Sequence, residues 1–367
     1  MTAILGCCYA GAPLLFGDVI ESIESRAEYL PNPYPYIPSV GSVNVSPNPG
    51  SQYRISGLVQ KISIIGPNLA LAWCGDVKLA KDILERIRDA NDIQPFDYAT
   101  LTRLLDHDSP SLASGDVGLI VLLKDGMGLT MFAKNVQDFP DATFSLIWAG
   151  GTGLDSLLAN LGSHRVGVHC SNPVLSAISL GASLSGSLIT HEVHHLDSLR
   201  LGYGGTYEIA TLIDGVCAKV SEIMNVLWFG KINKDGFSLR LPNRIFHNSY
   251  WNDLLIVRSL TIADGLVDQQ RDEYTLIPPV FRKITSDDIR LAPIPLFNSP
   301  TVAHHITFRG LDGKVRTVSK VGFGNVPGFN IVETSLPNDK HKIEIHIDDE
   351  FINRTSDEIY QLMKRDG

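Results

Sequence analysis

Thr2-Ala3-Ile4-Leu5-Gly6-Cys7-Cys8-Tyr9 follows the initiator methionine and leads through Gly11 into a second apolar stretch, Ala12-Pro13-Leu14-Leu15-Phe16. Two apolar runs of strand length around a glycine read as a buried pair of short strands. The residue at their head has chemical interest. Threonine is small enough for methionine removal to be expected, which would leave it with a free α-amine. An amine of ordinary pKa near ~8 can take the proton of its own residue's hydroxyl, so one residue would supply nucleophile and base. Many chains begin Met-Thr without any catalysis. The remainder of the sequence has to supply a cation beside the hydroxyl, a carboxylate to hold that cation, and an N–H donor for a developing oxyanion.

Composition leaves room for this. The 367 residues are 44% hydrophobic and 19% charged, an ordinary globular balance, and the length suggests two domains or one elaborated domain. A formal net charge of −9 offers no basic surface, so neither nucleic acid nor an anionic membrane is an expected partner. No apolar run reaches the ~18 residues expected of a spanning helix. The amino-terminal stretch lacks a basic segment and reads as a buried strand rather than a signal peptide. Cys7, Cys8, Cys74, Cys170 and Cys217 are odd in number and sit mostly in apolar stretches, which suits reduced thiols in the cytoplasm.

Periodicity outlines the elements. Ile20–Tyr29 reads as a helical scrap, and the Pro/Tyr/Ser-rich stretch from Pro31 to Pro49 as a long loop. Leu58–Ile65 and Leu69–Trp73 read as strands, and Leu79, Ile83, Leu84 and Ile87 share one face of a helix from Asp76 to Arg88. Val117–Leu123 and Gly128–Phe132 form a hairpin around Lys124-Asp125-Gly126, and Phe144–Trp148 is a strand ahead of a Leu154–Leu161 helix. Asn172-Pro173 is a cap and first-turn pair for a long helix to about Leu199. Strands follow over Tyr207–Ile213, Val216–Val220, Asn225–Ile232 and Phe237–Leu241. From about Phe246 the texture turns to proline, asparagine and further strands, closed by a short helix from Ser356. The division expected is a first domain over 1–245 and a β-rich segment over 246–367.

The ordered motifs bear a resemblance. Thr2-Ala3-Ile4-Leu5-Gly6 with Asp18, then Lys61-Ile62-Ser63-Ile64-Ile65, Ala72-Trp73-Cys74-Gly75, Gly151-Thr152-Gly153 and Gly204-Gly205-Thr206-Tyr207 resemble the N-terminal-nucleophile hydrolases. The likeness is to proteasome β subunits and their bacterial relatives, over roughly residues 2–241. It implies an α+β fold, a four-layer αββα sandwich, here with a β-rich C-terminal appendage. It also implies a threonine-type peptidase or amidohydrolase without a cofactor. Thr2 would be nucleophile and base, Lys61 its activator, Asp18 the lysine's partner, Gly75 the oxyanion donor and Thr152 a supporting hydroxyl. The implied partners are a peptide or protein substrate, further copies of the chain in a ring-shaped homo-oligomer, and an unfoldase or regulator. Arg200 and Tyr203 depart from the pattern, since the family carries an aspartate and a serine there. A large insertion also separates Asp18 from Lys61. An inactive scaffold or assembly subunit is therefore the alternative.

A competing motif is His191-Glu192-Val193-His194-His195, which fits H-E-x-x-H on a helix. His191 and His195 would ligate zinc one turn apart, with Glu192 as general base and Glu208 or Asp197 as third ligand. The plainer reading is a polar helix end, where histidines suit the helix dipole. His304-His305, His341 and His346 read as surface residues of strands.

Overall fold

The computed structural model describes residues 2–24, 36–41, 53–107, 110–141, 143–144, 147–163, 171–233, 236–262, 270–310, 312–336 and 340–366. Cys170 and most of the expected Pro31–Pro49 loop lie outside them. The chain forms two compact units. One comprises residues up to Val220, with Asn252–Leu255 and Leu276–Leu291; the other comprises Ser221–Trp251, Ile256–Thr275 and Ala292–Gly367.

The first unit contains β1 (Ala3–Tyr9), β2 (Ala12–Asp18), β3 (Ile20–Glu24), β4 (Tyr53–Leu58), β5 (Ile62–Gly66) and β6 (Leu69–Gly75). Helices α1 (Val77–Ile93), α2 (Tyr98–His107) and α3 (Pro110–Ala113) follow. Next come β7 (Val117–Asp125), β8 (Gly128–Lys134), β9 (Gln137–Phe139) and β10 (Ile147–Gly151). The unit continues with α4 (Leu154–Ser163), α5 (Pro173–His195), α6 (Asp197–Arg200), β11 (Tyr207–Ile213) and β12 (Val216–Lys219). Two of its sheets run in the orders β12-β11-β2-β1-β10-β9 and β5-β6-β7-β8, while β3 and β4 pair as a ribbon.

Side-chain alternation explains the packing of the four-stranded sheet. Leu69, Leu71 and Trp73 of β6 join Val117, Leu119, Val121 and Leu123 of β7 in a core with Ile83, Leu84 and Ile87 of α1. The intervening Ala70, Ala72, Cys74, Ile120 and Leu122 face a second core containing Ile4 of β1 and Leu15 of β2. A strand buried on both faces reads as an unbroken apolar run, as Val117–Leu123 does. Helix α5 packs on β1, β2 and β11. Its Asn172 cap accepts hydrogen bonds from the N–H groups of Val174 and Leu175, and Leu196 ends it in a left-handed conformation. In length and mean hydropathy (1.4) it could cross a membrane, contrary to the expectation from the sequence, and 78% of the relevant window is buried inside the protein.

The second unit holds β13 (Ile223–Asn233), β14 (Gly236–Trp251) and most of β15 (Leu254–Ile262) and β16 (Gln270–Ile277). Helix α7 (Ser286–Leu291) belongs to the first unit; β17 (Thr301–Arg309), β18 (Val315–Phe323), β19 (Phe329–Leu336), β20 (Lys340–Ile347) and α8 (Asp349–Asp366) complete the chain. The sheet order is β16-β15-β14-β13-β17-β18, with β19 and β20 as a separate pair. Trp228, Phe329, Phe351 and Ile359 share its core.

The expected four-layer αββα sandwich with an appendage is corrected. Among the described residues 48% are strand and 28% helix, in several mostly antiparallel sheets with few helices. One reason is pairing that no local pattern reveals. β13 runs parallel to β17, Ile223 opposite Thr301, and antiparallel to β14. That draws Ile223–Trp251 into the second unit, so the expected boundary at 245/246 falls inside β14. Ile20–Glu24, read as the start of a helix, instead pairs with β4. His304 and His305, read as surface residues, are buried in β17 between β13 and β18. Trp228 Nε1–H donates to His304 Nδ1 at 3.0 Å, and His305 Nε2 lies 3.0 Å from Asn225 Oδ1.

The buried cation of this unit is Arg258. Its guanidinium is held by both oxygens of Asp272 at 2.9 and 2.6 Å, by Glu333 at 3.0 and 2.8 Å, and by the Pro295 carbonyl at 2.6 Å. Removing one partner of a buried ion network strands the other charges. Arg258→Met should lower unfolding stability by about 3 kcal/mol in urea titrations, whereas Arg290→Met, in an exposed pair with Asp287, should cost under about 1 kcal/mol.

Candidate functional site

Asp18 ends β2 with its carboxylate fully buried. Its Oδ1 accepts the Ala3 N–H at 3.0 Å, and its Oδ2 accepts those of Ile20 at 3.3 Å and Gly204 at 2.8 Å. Three segments thus converge on one side chain: the start of β1, the start of β3 and the turn before β11. Thr2, immediately before Ala3, is also fully buried. Its carbonyl accepts the Gly153 N–H at 3.3 Å, and Ala3 lies opposite Gly151 in the β1–β10 register.

Lys61 sits in the bend before β5, 1% exposed, with Nζ 4.3 Å from the centre of the Trp73 ring. Burial lowers its pKa, opposed by the carboxylates of Asp18, Glu21 and Glu208. Burial likewise raises Asp18 to about 6 against the pull of Lys61 and its backbone donors. Burial thus disfavours the charged form of both groups, and their mutual attraction opposes it in each. The sequence-predicted Thr2, Asp18 and Lys61 therefore belong to one buried cluster.

The position of Lys61 is fixed by residues the motif reading did not assign to it. Glu208 Oε2 accepts the Lys61 N–H at 2.6 Å and the Ile62 N–H at 3.1 Å. Its Oε1 pairs with Lys219 Nζ at 2.6 Å, and Lys219 also donates to Gln60. Gln60 in turn donates to the carbonyls of Asp253 at 2.8 Å and Ile277 at 2.7 Å. The sequence signal for this role is a lone acid, Glu208, in a largely apolar strand.

Gly75 ends β6 opposite Val117. Its φ is +105°, and an added Cβ would lie 2.0 Å from the Asp116 carbonyl oxygen, so the backbone alone requires glycine. Next to it, Cys74 Sγ would lie 3.0 Å from a Cβ on Gly150 of β10, the strand that pairs with β1. Thr152 is at the expected turn, but its hydroxyl donates to the Leu201 carbonyl at 3.0 Å while the neighbouring Gly153 contacts Thr2. Arg200 is partly buried, and its guanidinium pairs with the exposed Asp197 at 3.2 Å. Tyr203 is buried and donates to Ser156 Oγ at 2.7 Å.

The histidine motif is arranged differently from a metal centre. His191 and His195 are exposed with ring centroids 4.8 Å apart, while Glu192 between them is fully buried on the opposite side. Glu192 accepts hydrogen bonds from the Tyr207 hydroxyl and from the Gly205 N–H, the latter at 3.0 Å. Among the described residues no group of three or more His, Cys, Asp or Glu side chains could hold a metal ion. Cys7, Cys74 and Cys217 are buried free thiols and Cys8 is partly buried. Burial raises Cys74 to about 11, which keeps it protonated.

No family model matches the chain, and no curated protein matches it.

Burial lifts Glu192 from an ordinary 4.5 to about 7, against the Tyr207 hydrogen bond. A carboxyl raised on folding adds stability below its unfolded pKa, and that contribution is lost as pH rises through the folded value. Glu192→Gln should therefore flatten the dependence of unfolding free energy on pH between about 4.5 and 7, measured by urea titration at each pH.

Proposed function

We propose that the protein is an N-terminal threonine hydrolase of peptide or other amide bonds, with Thr2 as nucleophile once Met1 is removed. The observation that carries this reading is the convergence on Asp18. One buried carboxylate ties the backbone next to Thr2 to the environment of Lys61. The resemblance of the ordered motifs to proteasome β subunits points the same way.

In this mechanism the Thr2 hydroxyl oxygen attacks the substrate carbonyl carbon while its proton passes to the free α-amine, which hands it on, directly or through Lys61, to the departing amine and so becomes neutral again. The amide C–N bond breaks and an ester to Thr2 forms. Water, deprotonated by the same amine, then attacks the ester; the acid departs and the threonine hydroxyl is restored. The Gly75 N–H is the proposed donor to the oxyanion in both steps. Asp18 keeps Lys61 oriented and supplies the counter-charge.

The alternative of an inactive scaffold draws on the complete burial of Thr2 and the pairing of Arg200 with Asp197. The two readings separate cleanly. Mass spectrometry of the purified protein should find Thr2 as first residue, and a β-lactone probe should add covalently to it. An intact Met1, or labelling that survives Thr2→Ala, would sink the enzymatic reading. Lys61→Ala should slow labelling by ~10²-fold or more, and a chelator should leave it unchanged.

The pH profile follows from Asp18, raised to about 6 by burial. Below that pH its carboxylate is protonated and Lys61 loses its partner. The labelling rate should fall as pH drops through about 6, and Asp18→Asn should give a slower rate without that acidic limb.

A further inference from the structure

The inward side chain of the His191–His195 segment has a role that its sequence pattern does not suggest. The two peptide N–H groups of Gly204 and Gly205 are consecutive, and each is held by a different buried carboxylate. Gly204 N–H donates to Asp18 Oδ2 at 2.8 Å; Gly205 N–H donates to Glu192 Oε2 at 3.0 Å. We propose that Glu192 is a positioning residue for the Thr2 site, acting through the Gly204–Gly205 peptide pair on Asp18. This rests on the reading of Thr2 as the nucleophile.

The geometry makes Glu192 a rigid anchor. It lies in the last turn of α5, and its own carbonyl accepts the Leu196 N–H at 3.1 Å. Its carboxylate is fully buried and also holds the Tyr207 hydroxyl. Tyr207 stands directly opposite Asp18 in the β2–β11 register. Gly204 has φ +118°, and a Cβ on it would lie 2.3 Å from Glu192 Oε1. The peptide pair is therefore shaped to pass against this carboxylate, and only glycine meets both the dihedral and the clearance. Helix α5, the turn, β11 and β2 form a closed circuit through Glu192 and Asp18.

Without the Glu192 carboxylate, the buried Gly205 N–H and the Tyr207 hydroxyl lose an acceptor, and buried polar groups left unmade are costly. Gly205 also has positive φ, +85°, so the peptide between the two glycines would lose its buried anchor and keep the Val19 N–H on the Gly204 carbonyl at 3.3 Å. The Gly204 N–H would then no longer be aimed at Asp18, and Lys61 would lose its fixed counter-charge. Glu192 itself is fully buried and has no surface to offer a bound probe. Its loss should slow the chemical step and leave binding alone.

The test is inactivation of the full chain, Met1 removed, by the β-lactone probe, resolved into the maximal inactivation rate and the half-saturating concentration. Glu192→Ala should lower the maximal rate roughly tenfold, the scale of one buried hydrogen bond, with the half-saturating concentration unchanged. Glu192→Gln keeps a carbonyl acceptor for Gly205 and should recover most of that rate. Tyr207→Phe, which removes one anchor of Glu192, should give a smaller loss of the same kind, and it serves if Glu192→Ala does not fold. Unchanged maximal rates in Glu192→Ala and Tyr207→Phe would overturn the proposal, as would Glu192→Gln behaving like Glu192→Ala. A wild-type protein whose first residue is Thr2 and that the probe never labels overturns the nucleophile itself, before any Glu192 variant is compared.

Discussion

The hydrogen bonds to Asp18 are the constraint on which the first unit is organised. A buried carboxylate must be paired or hydrogen-bonded to be tolerated. Asp18 meets that demand by collecting backbone N–H groups from the start of β1, the start of β3 and the turn before β11. Each donor comes from a different part of the chain, so satisfying one side chain fixes the relative position of three segments. The requirement is electrostatic and structural before it is catalytic. Chemistry at Thr2 would exploit a geometry that desolvation already imposes.

The same logic recurs around it. Glu208 is made tolerable by Lys219 and by the backbone of Lys61 and Ile62, which places Lys61 through its own N–H. Glu192 is made tolerable by Gly205 and Tyr207. These buried acids form a chain of mutual dependence in which each is satisfied by backbone or side chains that the next one positions. In the second unit Arg258 plays the corresponding part for Asp272 and Glu333. Buried charge here works less as a source of net stability than as a way of specifying one arrangement, since ion pairs in apolar surroundings roughly repay their own desolvation.

Local patterns carried much of this. Alternating apolar residues located β6 and β7, the Lys124-Asp125-Gly126 turn located their hairpin with β8, and Asn172-Pro173 marked the start of α5. Thr2, Asp18 and Lys61 were singled out by the resemblance of short ordered motifs, and all three side chains are buried. The failures share a cause. The extent of the second unit depends on β13 pairing with β17, more than seventy residues downstream, as Ile223 opposite Thr301 shows. Ile20–Glu24 has no helical or strand signature strong enough to outweigh pairing with β4. His304 and His305 look polar in the chain, and they are buried because their strand is central.

The sequence by itself determined which segments are apolar on one face or two, where several turns and caps fall, and which residue types could serve a nucleophile. These are properties of neighbours within a few positions, set by side-chain geometry and backbone sterics. Tertiary structure alone decided that Thr152 bonds Leu201 while Gly153 faces Thr2, that Arg200 pairs with Asp197 at the surface, and that Glu192 turns away from its flanking histidines toward Gly205. Those outcomes depend on which buried polar group needs a partner most, and the partner is chosen by distance in space. No spacing along the chain encodes that choice.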